Sequence, residues 1–235
     1  HGIYLPEPPE RDLLDLTRRL KAVSGSPFPS IVNPEPVSYQ AGHEETFWVS
    51  DPIDVRAYTI QATLAVVSEH AYWYVDDDID LDVDAMREAA EVFENEIRPL
   101  VVKFFGDIWT PGIDNDPHLT ILHTPLRGIA GYYGSQDEYP RSTHPQSNER
   151  EMIYMDGVAL DPGSRVYLGV LTHEFQHAVH WNHDPGEDSW VNEGLSEVAK
   201  GLSGYGTDFV GSFLARPDTQ LTYWPDDLSA TRPHY

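Results

Sequence analysis

The chain has 235 residues, a formal net charge of −24, 40% hydrophobic and 11% aromatic residues, and no cysteine. That length suits one domain, or two lobes around a cleft, with enough apolar side chains for a core. Fifteen lysines and arginines against 39 acids exclude nucleic acid as a partner, which needs basic clusters to neutralise phosphates; the lack of cysteine excludes disulfide staples and thiol catalysis.

No run of residues is long and apolar enough to span a membrane. The acidity keeps a secreted protein soluble, or favours basic substrates or bound calcium. The sequence begins at His1 rather than methionine, so either a leader has been removed or the chain is trimmed; the expected location is secreted or extracellular.

Residues 1–40 are punctuated by Pro6, Pro8, Pro9, Pro27, Pro29, Pro34 and Pro36 around one amphipathic helix over 10–23. They read as an N-terminal arm packed on a domain that occupies 41–235. Residues 46–49, 57–67 and 71–75 are β-branched and aromatic and predict strands. Asp84 is placed to cap a helix from Ala85 onward, with Met86, Ala90, Phe93, Ile97, Val101 and Phe104 along one stripe and Pro99 expected to kink or break it. The acids Asp76, Asp77, Asp78, Asp80, Asp82 and Asp84 raise calcium as a cofactor. As an EF-hand loop from Asp78 they fail, because Val83 takes the glycine position and Ala89 the glutamate position; a solvated lead-in to the helix fits better. Asp114 and Asp116 carry a weaker hint of the same kind. Residues 119–122, 129–133 and 152–154 are short strand candidates. Within them, Gly131-Tyr132-Tyr133-Gly134 reads either as a backbone edge close to substrate or as aromatic core.

The chain then presents Thr172-His173-Glu174-Phe175-Gln176-His177, an H-E-x-x-H string. Chance would produce it roughly 0.04 times in a chain of this composition. Positions four apart on a helix lie about 40° apart around the axis, so His173 and His177 project side by side and can grip one zinc ion. Glu174 between them can reach a water on that ion. Leu168, Leu171, Phe175, Ala178 and Val179 recur at helical spacing, residues 161–164 supply cap and turn chemistry, and residues 182–186 supply a stop.

Catalytic zinc takes three protein ligands and keeps one position open. Two residues compete for the third place. Glu193 follows His177 after fifteen intervening residues, on a second helical segment over 189–202 that carries Leu195, Val198 and Leu202 on one side. Glu197, one turn further, would hydrogen-bond the outer nitrogen of a ligand histidine. His183 is the alternative, since His173, His177 and His183 have metzincin spacing. Against it, His180 stands where that pattern needs a turn-forming glycine, and no methionine follows Met155.

The strings H-E-F-Q-H and Trp190-Val191-Asn192-Glu193-Gly194-Leu195-Ser196-Glu197 resemble the gluzincin branch of zinc metallopeptidases, and among them the hyicolysin-like and immune-inhibitor-A-like secreted enzymes. Residues 147–154 are similar to the upper-strand region that precedes the active helix there. The resemblance covers roughly residues 147–200. It implies a zincin-like α+β fold: a twisted sheet packed on an active-site helix, a second ligand helix C-terminal to it, and a C-terminal subdomain that is short or truncated here. It also implies zinc on His173, His177 and Glu193, catalysis by Glu174, and Glu197 behind a ligand.

The function expected from these readings is hydrolysis of protein or peptide substrates, with Glu174 taking a proton from water and returning it to the leaving amine. The oxyanion would be held by zinc and one donor side chain, with Tyr205 as candidate and Tyr223 and His234 as alternatives. An endopeptidase is favoured over an aminopeptidase because no G-x-M-E-N-like string is present to anchor a substrate amine. The alternative is a zincin-fold structural or binding module with an idle zinc site. Copper chelation by a free His1, as in lytic polysaccharide monooxygenases, conflicts with the marked helices, since those proteins are β-sandwiches.

Overall fold

The computed structural model of the protein describes residues 31–51 and 53–206. The helix expected over 10–23 lies outside them. Residues 31–40 belong to the expected arm and pack on the domain: Val32 N–H donates to Ile113 O at 2.7 Å, and Tyr39 stacks edge-on against Tyr72 at 5.5 Å.

Six strands form one mixed sheet in the order β1-β2-β3-β4-β6-β5. They are β1 (Glu44–Asp51), β2 (Arg56–Val67), β3 (Ala71–Asp76), β4 (Leu119–Thr124), β5 (Gly131–Tyr133) and β6 (Met152–Asp156). β1, β2 and β3 pair antiparallel, β3–β4 and β4–β6 parallel, and β5 returns antiparallel along β6. Short β5 is therefore an edge, with one row of backbone groups unpaired by any strand among the described residues.

Alternation along the strands separates two apolar layers. Trp73, Ile121, Ile153 and Met155 point to the helices, while Tyr72, Tyr74, Leu122, Met152 and Tyr154 point to the opposite face with Phe47 and Leu64. Strands β3, β4 and β6 are buried on both faces along nearly their whole length, as interior strands are.

The crossover from β3 to β4 is helical: α1 (Val83–Val92), a π-helical turn (Phe93–Ile97) and α2 (Arg98–Phe105). The cap is Asp82 rather than Asp84; its carboxylate accepts from Asp84 N and Ala85 N, and Asp84 instead pairs with Arg87 in the first turn. The expected break at Pro99 takes the form of the π turn, in which Arg98 N–H reaches back five residues to Phe93 O. That extra residue shifts the phase of the stripe. Met86, Ala90, Phe93, Ile97 and Val101 are buried as expected, but Phe104 is 56% exposed and Phe105 packs on the core in its place.

Two of the acids before α1 act as hydrogen-bond acceptors within the fold. Asp76 is buried, accepting from Thr124 Oγ1 and Asp78 N, and Asp77 accepts from Thr63 Oγ1. Asp114 accepts from Asp116 N, and Asp116 from the Tyr72 hydroxyl. Two helices close the described chain, α3 (Arg165–His183) and α4 (Ser189–Ser203). Ser164 caps α3 by accepting from Tyr167 N, and Leu168, Leu171, Phe175, Ala178 and Val179 are all buried against the sheet. No described helix is long and apolar enough to cross a membrane.

Candidate metal centre

Helix α3 carries His173 and His177 on its face toward α4, with ring centroids 4.6 Å apart and planes at 83°. Glu193, in the second turn of α4, brings Oε2 to 3.1 Å from His173 Nε2 and 3.8 Å from His177 Nε2. One donor atom from each of the three residues lies within 4.8 Å of the others, and among the described residues this is the one convergent group of its kind.

The far sides of both rings are held by the same helix α4. His177 Nδ1 lies 2.8 Å from Asn192 Oδ1 and 3.1 Å from Ser196 Oγ, and Ser196 in turn donates to Gln176 Oε1. An amide oxygen only accepts, so His177 carries its proton on Nδ1 and presents an Nε2 lone pair to the centre. His173 Nδ1 lies 3.1 Å from Glu197 Oε1, the position expected of Glu197, and that oxygen also takes the Lys200 ammonium at 2.7 Å. Two imidazole nitrogens and a carboxylate oxygen, with an acceptor hydrogen-bonded behind His177 and a carboxylate close behind His173, are a donor set that fits zinc.

Among the protein groups alone, burial works against charge on His173, yet its hydrogen bonds to Glu193 and Glu197 hold it up to about 9. Burial and the neighbouring His173 charge push His177 down to about 4, so it stays neutral, as a ligand must. Glu174 is held up to about 7 by burial, against the charges of His173 and Lys200 and a hydrogen bond from the Tyr133 backbone N–H. A carboxyl poised near neutrality suits proton transfer in either direction.

A cavity of about 450 Å³ opens over these residues, walled on one side by 128–133 and on the other by α3 and α4. Gly131 makes the close approach feasible: a Cβ there would lie 2.8 Å from Val170 Cγ1 and 3.0 Å from Glu174 Cγ. The Gly131–Gly134 string thus contributes both to the cavity wall and to packing. The backbone of β5 lines the cavity, while the Tyr132 ring stacks on Tyr154 at 4.0 Å and the Tyr133 hydroxyl donates to Glu138.

Two candidates from the sequence lie elsewhere. His183 is exposed and sits against Gly106, because α3 stays helical through His180 and carries residue 183 away from the centre. Tyr205 donates its hydroxyl to Glu96 at 3.0 Å, its ring lies beside the Arg165 guanidinium, and it is absent from the cavity wall. Tyr223 and His234 lie outside the described residues. Asn192, Ser196 and Lys200 were missed, although their signal was present: Asn192 precedes Glu193, Ser196 follows Asn192 by one helical turn, and Lys200 follows Glu197 by three residues. No family model matches this chain, and no curated protein matches it significantly.

Proposed function

We propose that this protein is a zinc-dependent peptidase of the gluzincin type, with a zincin-like α+β fold, that cleaves within protein or peptide chains outside the cell. The observation that carries the reading is the convergence of His173, His177 and Glu193 with Glu174 beside them and not among them. A structural site needs no such carboxylate. His173, His177 and Glu193 would hold the ion; bound zinc supplies a Lewis acid and makes a water acidic near neutral pH.

Glu174 then accepts a proton and later delivers it to the leaving amine, a cycle favoured by its buried, near-neutral carboxyl. Glu197, Asn192 and Ser196 keep the two rings aimed inward. The unpaired row of β5 offers backbone donors and acceptors along the cavity, which suits an extended peptide lying beside the strand.

The test is metal analysis of the purified protein together with cleavage of a denatured protein such as casein, with and without chelator. One zinc per chain and chelator-sensitive cleavage restored by zinc are expected. A protein that holds zinc and cleaves no peptide bond would be a binding module instead.

A further inference from the structure

We infer that Lys200 is a positioning residue of this centre: it fixes the Glu197 carboxylate that holds the outer nitrogen of His173. The inference rests on the metal-site reading above and identifies the group on which the aim of one ligand depends.

Three observations support it. First, Lys200 Nζ donates to Glu197 Oε1 at 2.7 Å, and His173 Nδ1 approaches the same oxygen at 3.1 Å as an ion-pair contact, so the ammonium and the imidazole converge on one carboxylate oxygen. Second, Lys200 is only 8% exposed, a burial that lysine rarely accepts unless paired. Its stem runs across α3 at Gly169, where a Cβ would already touch Lys200 Cε at 3.7 Å and meet Tyr205 O at 2.9 Å. The lysine stem therefore packs in van der Waals contact with α3 at this position. Third, Glu193, Glu197 and Lys200 recur at helical spacing on the face of α4 that lines the cavity, so ligand, orienting acid and anchor form one stripe.

An i,i+3 ion pair at a surface contributes little and would not justify burying an ammonium. Here the carboxylate it holds is one that a ligand histidine uses. A different role gives the opposite sign. If Lys200 were only a positive charge near a divalent cation, its removal would relieve repulsion and tighten metal binding. If it positions Glu197, its removal frees the carboxylate to swing toward solvent, His173 loses its anchor, and binding weakens.

Zinc dissociation constants of the full chain, measured by competition with a chromophoric chelator at fixed pH and salt, separate the two. Lys200→Met should bind zinc about 10–100-fold more weakly, the loss typical of an orienting partner. Lys200→Arg should recover binding to within about 2-fold of the original. In a Glu197→Gln background, Lys200→Met should add no more than about 2-fold, since both changes remove one interaction. The absorption of the cobalt-substituted protein should change in Lys200→Met and recover in Lys200→Arg. Circular dichroism checks folding, and Lys200→Gln replaces the methionine variant if that one does not fold. Unchanged or tighter zinc binding in Lys200→Met, or an undiminished loss in the Glu197→Gln background, overturns the inference while leaving the centre standing. An unaltered chain that binds no zinc removes the centre itself, and the inference with it.

Discussion

Adding one methyl group at Gly131 tests how tightly the edge strand is seated on the helix that carries the histidines. A Cβ at this position would lie 2.8 Å from Val170 Cγ1, 2.9 Å from Tyr154 O and 3.0 Å from Glu174 Cγ. Carbon contacts relax at about 3.5–4.0 Å, so the gap must widen by about 0.5–1 Å. The Tyr154 carbonyl is backbone of β6, an interior strand, and cannot yield cheaply. Overpacking of this kind costs about 1–3 kcal/mol. In a domain of this size each kcal/mol moves the melting temperature by about 2–4 °C, so Gly131→Ala should melt about 2–12 °C lower. Moving β5 outward also draws Tyr133 N–H from Glu174, so peptidase activity should fall even where the variant is fully folded. Gly194→Ala is the control. Nothing lies within 4 Å of a Cβ there, and alanine favours a helix interior over glycine, so this variant should melt at or above the original temperature. Thermal and urea unfolding of the three proteins decides the matter. A Gly131→Ala protein that melts with the original chain would refute the close seating of β5 on α3.

His177→Ala and Glu193→Ala should each lose zinc from the centre, whereas His183→Ala should keep both zinc and activity; metal content after gel filtration reads all three. Glu174→Gln keeps the shape of the side chain but accepts no proton, so turnover should fall about 10²–10⁴-fold at unchanged zinc content, and near-normal turnover would assign the proton transfer to another group. Burial, with Glu138 and Asp114 nearby, pushes the Glu151 carboxyl up to about 9. An unfolded glutamate titrates near ~4.3, so the folded chain keeps a proton that the unfolded chain releases. Stability from this group is present at low pH and is lost as pH rises toward about 9, by at most about 1.4 kcal/mol per pH unit. Glu151→Gln retains an acceptor for Ile113 N–H and should flatten the fall in melting temperature between pH 6 and 9; a melting temperature that rises over that range in the original chain would contradict the argument.

The sheet was largely legible because β-branched and aromatic runs with period two mark strands locally; β1 (Glu44–Asp51) runs two residues past the sequence reading at each end and β6 (Met152–Asp156) two residues past it at its C-terminal end. The α1 cap was not. Asp82 and Asp84 offer the same local chemistry, and the choice falls to Asp82 because Val83 then packs on the core as the first helical residue. The π turn had no sequence signal of its own, since Pro99 announces a missing N–H but not how the ladder will change register.

The face of α4 was misread for a physical reason. Leu195, Val198 and Leu202 look like a core stripe, yet Val198 is 51% and Leu202 46% exposed, and the buried residues are Ser196, Ala199 and Lys200. Polar pairing with α3 orients that helix, and hydrophobic periodicity does not report polar pairing. The spacing of His173, His177 and Glu193 was readable because helical geometry fixes the first two. Lys200 became readable only once the inward face of α4 was known.

Both imidazoles hang from α3, while Glu193 and every partner behind the rings except Gln176 belong to α4 or its first turns. The centre is thus split between two rods joined by residues 184–188, all exposed, and α4 buries only three of its residues. With so little apolar surface to dock it, α4 depends on what it shares with α3 through the donors between them. An ion gripped there would act as a rivet, and its release and the lifting of α4 would be one thermodynamic event. Cleavage of the 184–188 link by an added protease would then slow as free zinc rises, with a midpoint at the dissociation constant of the centre.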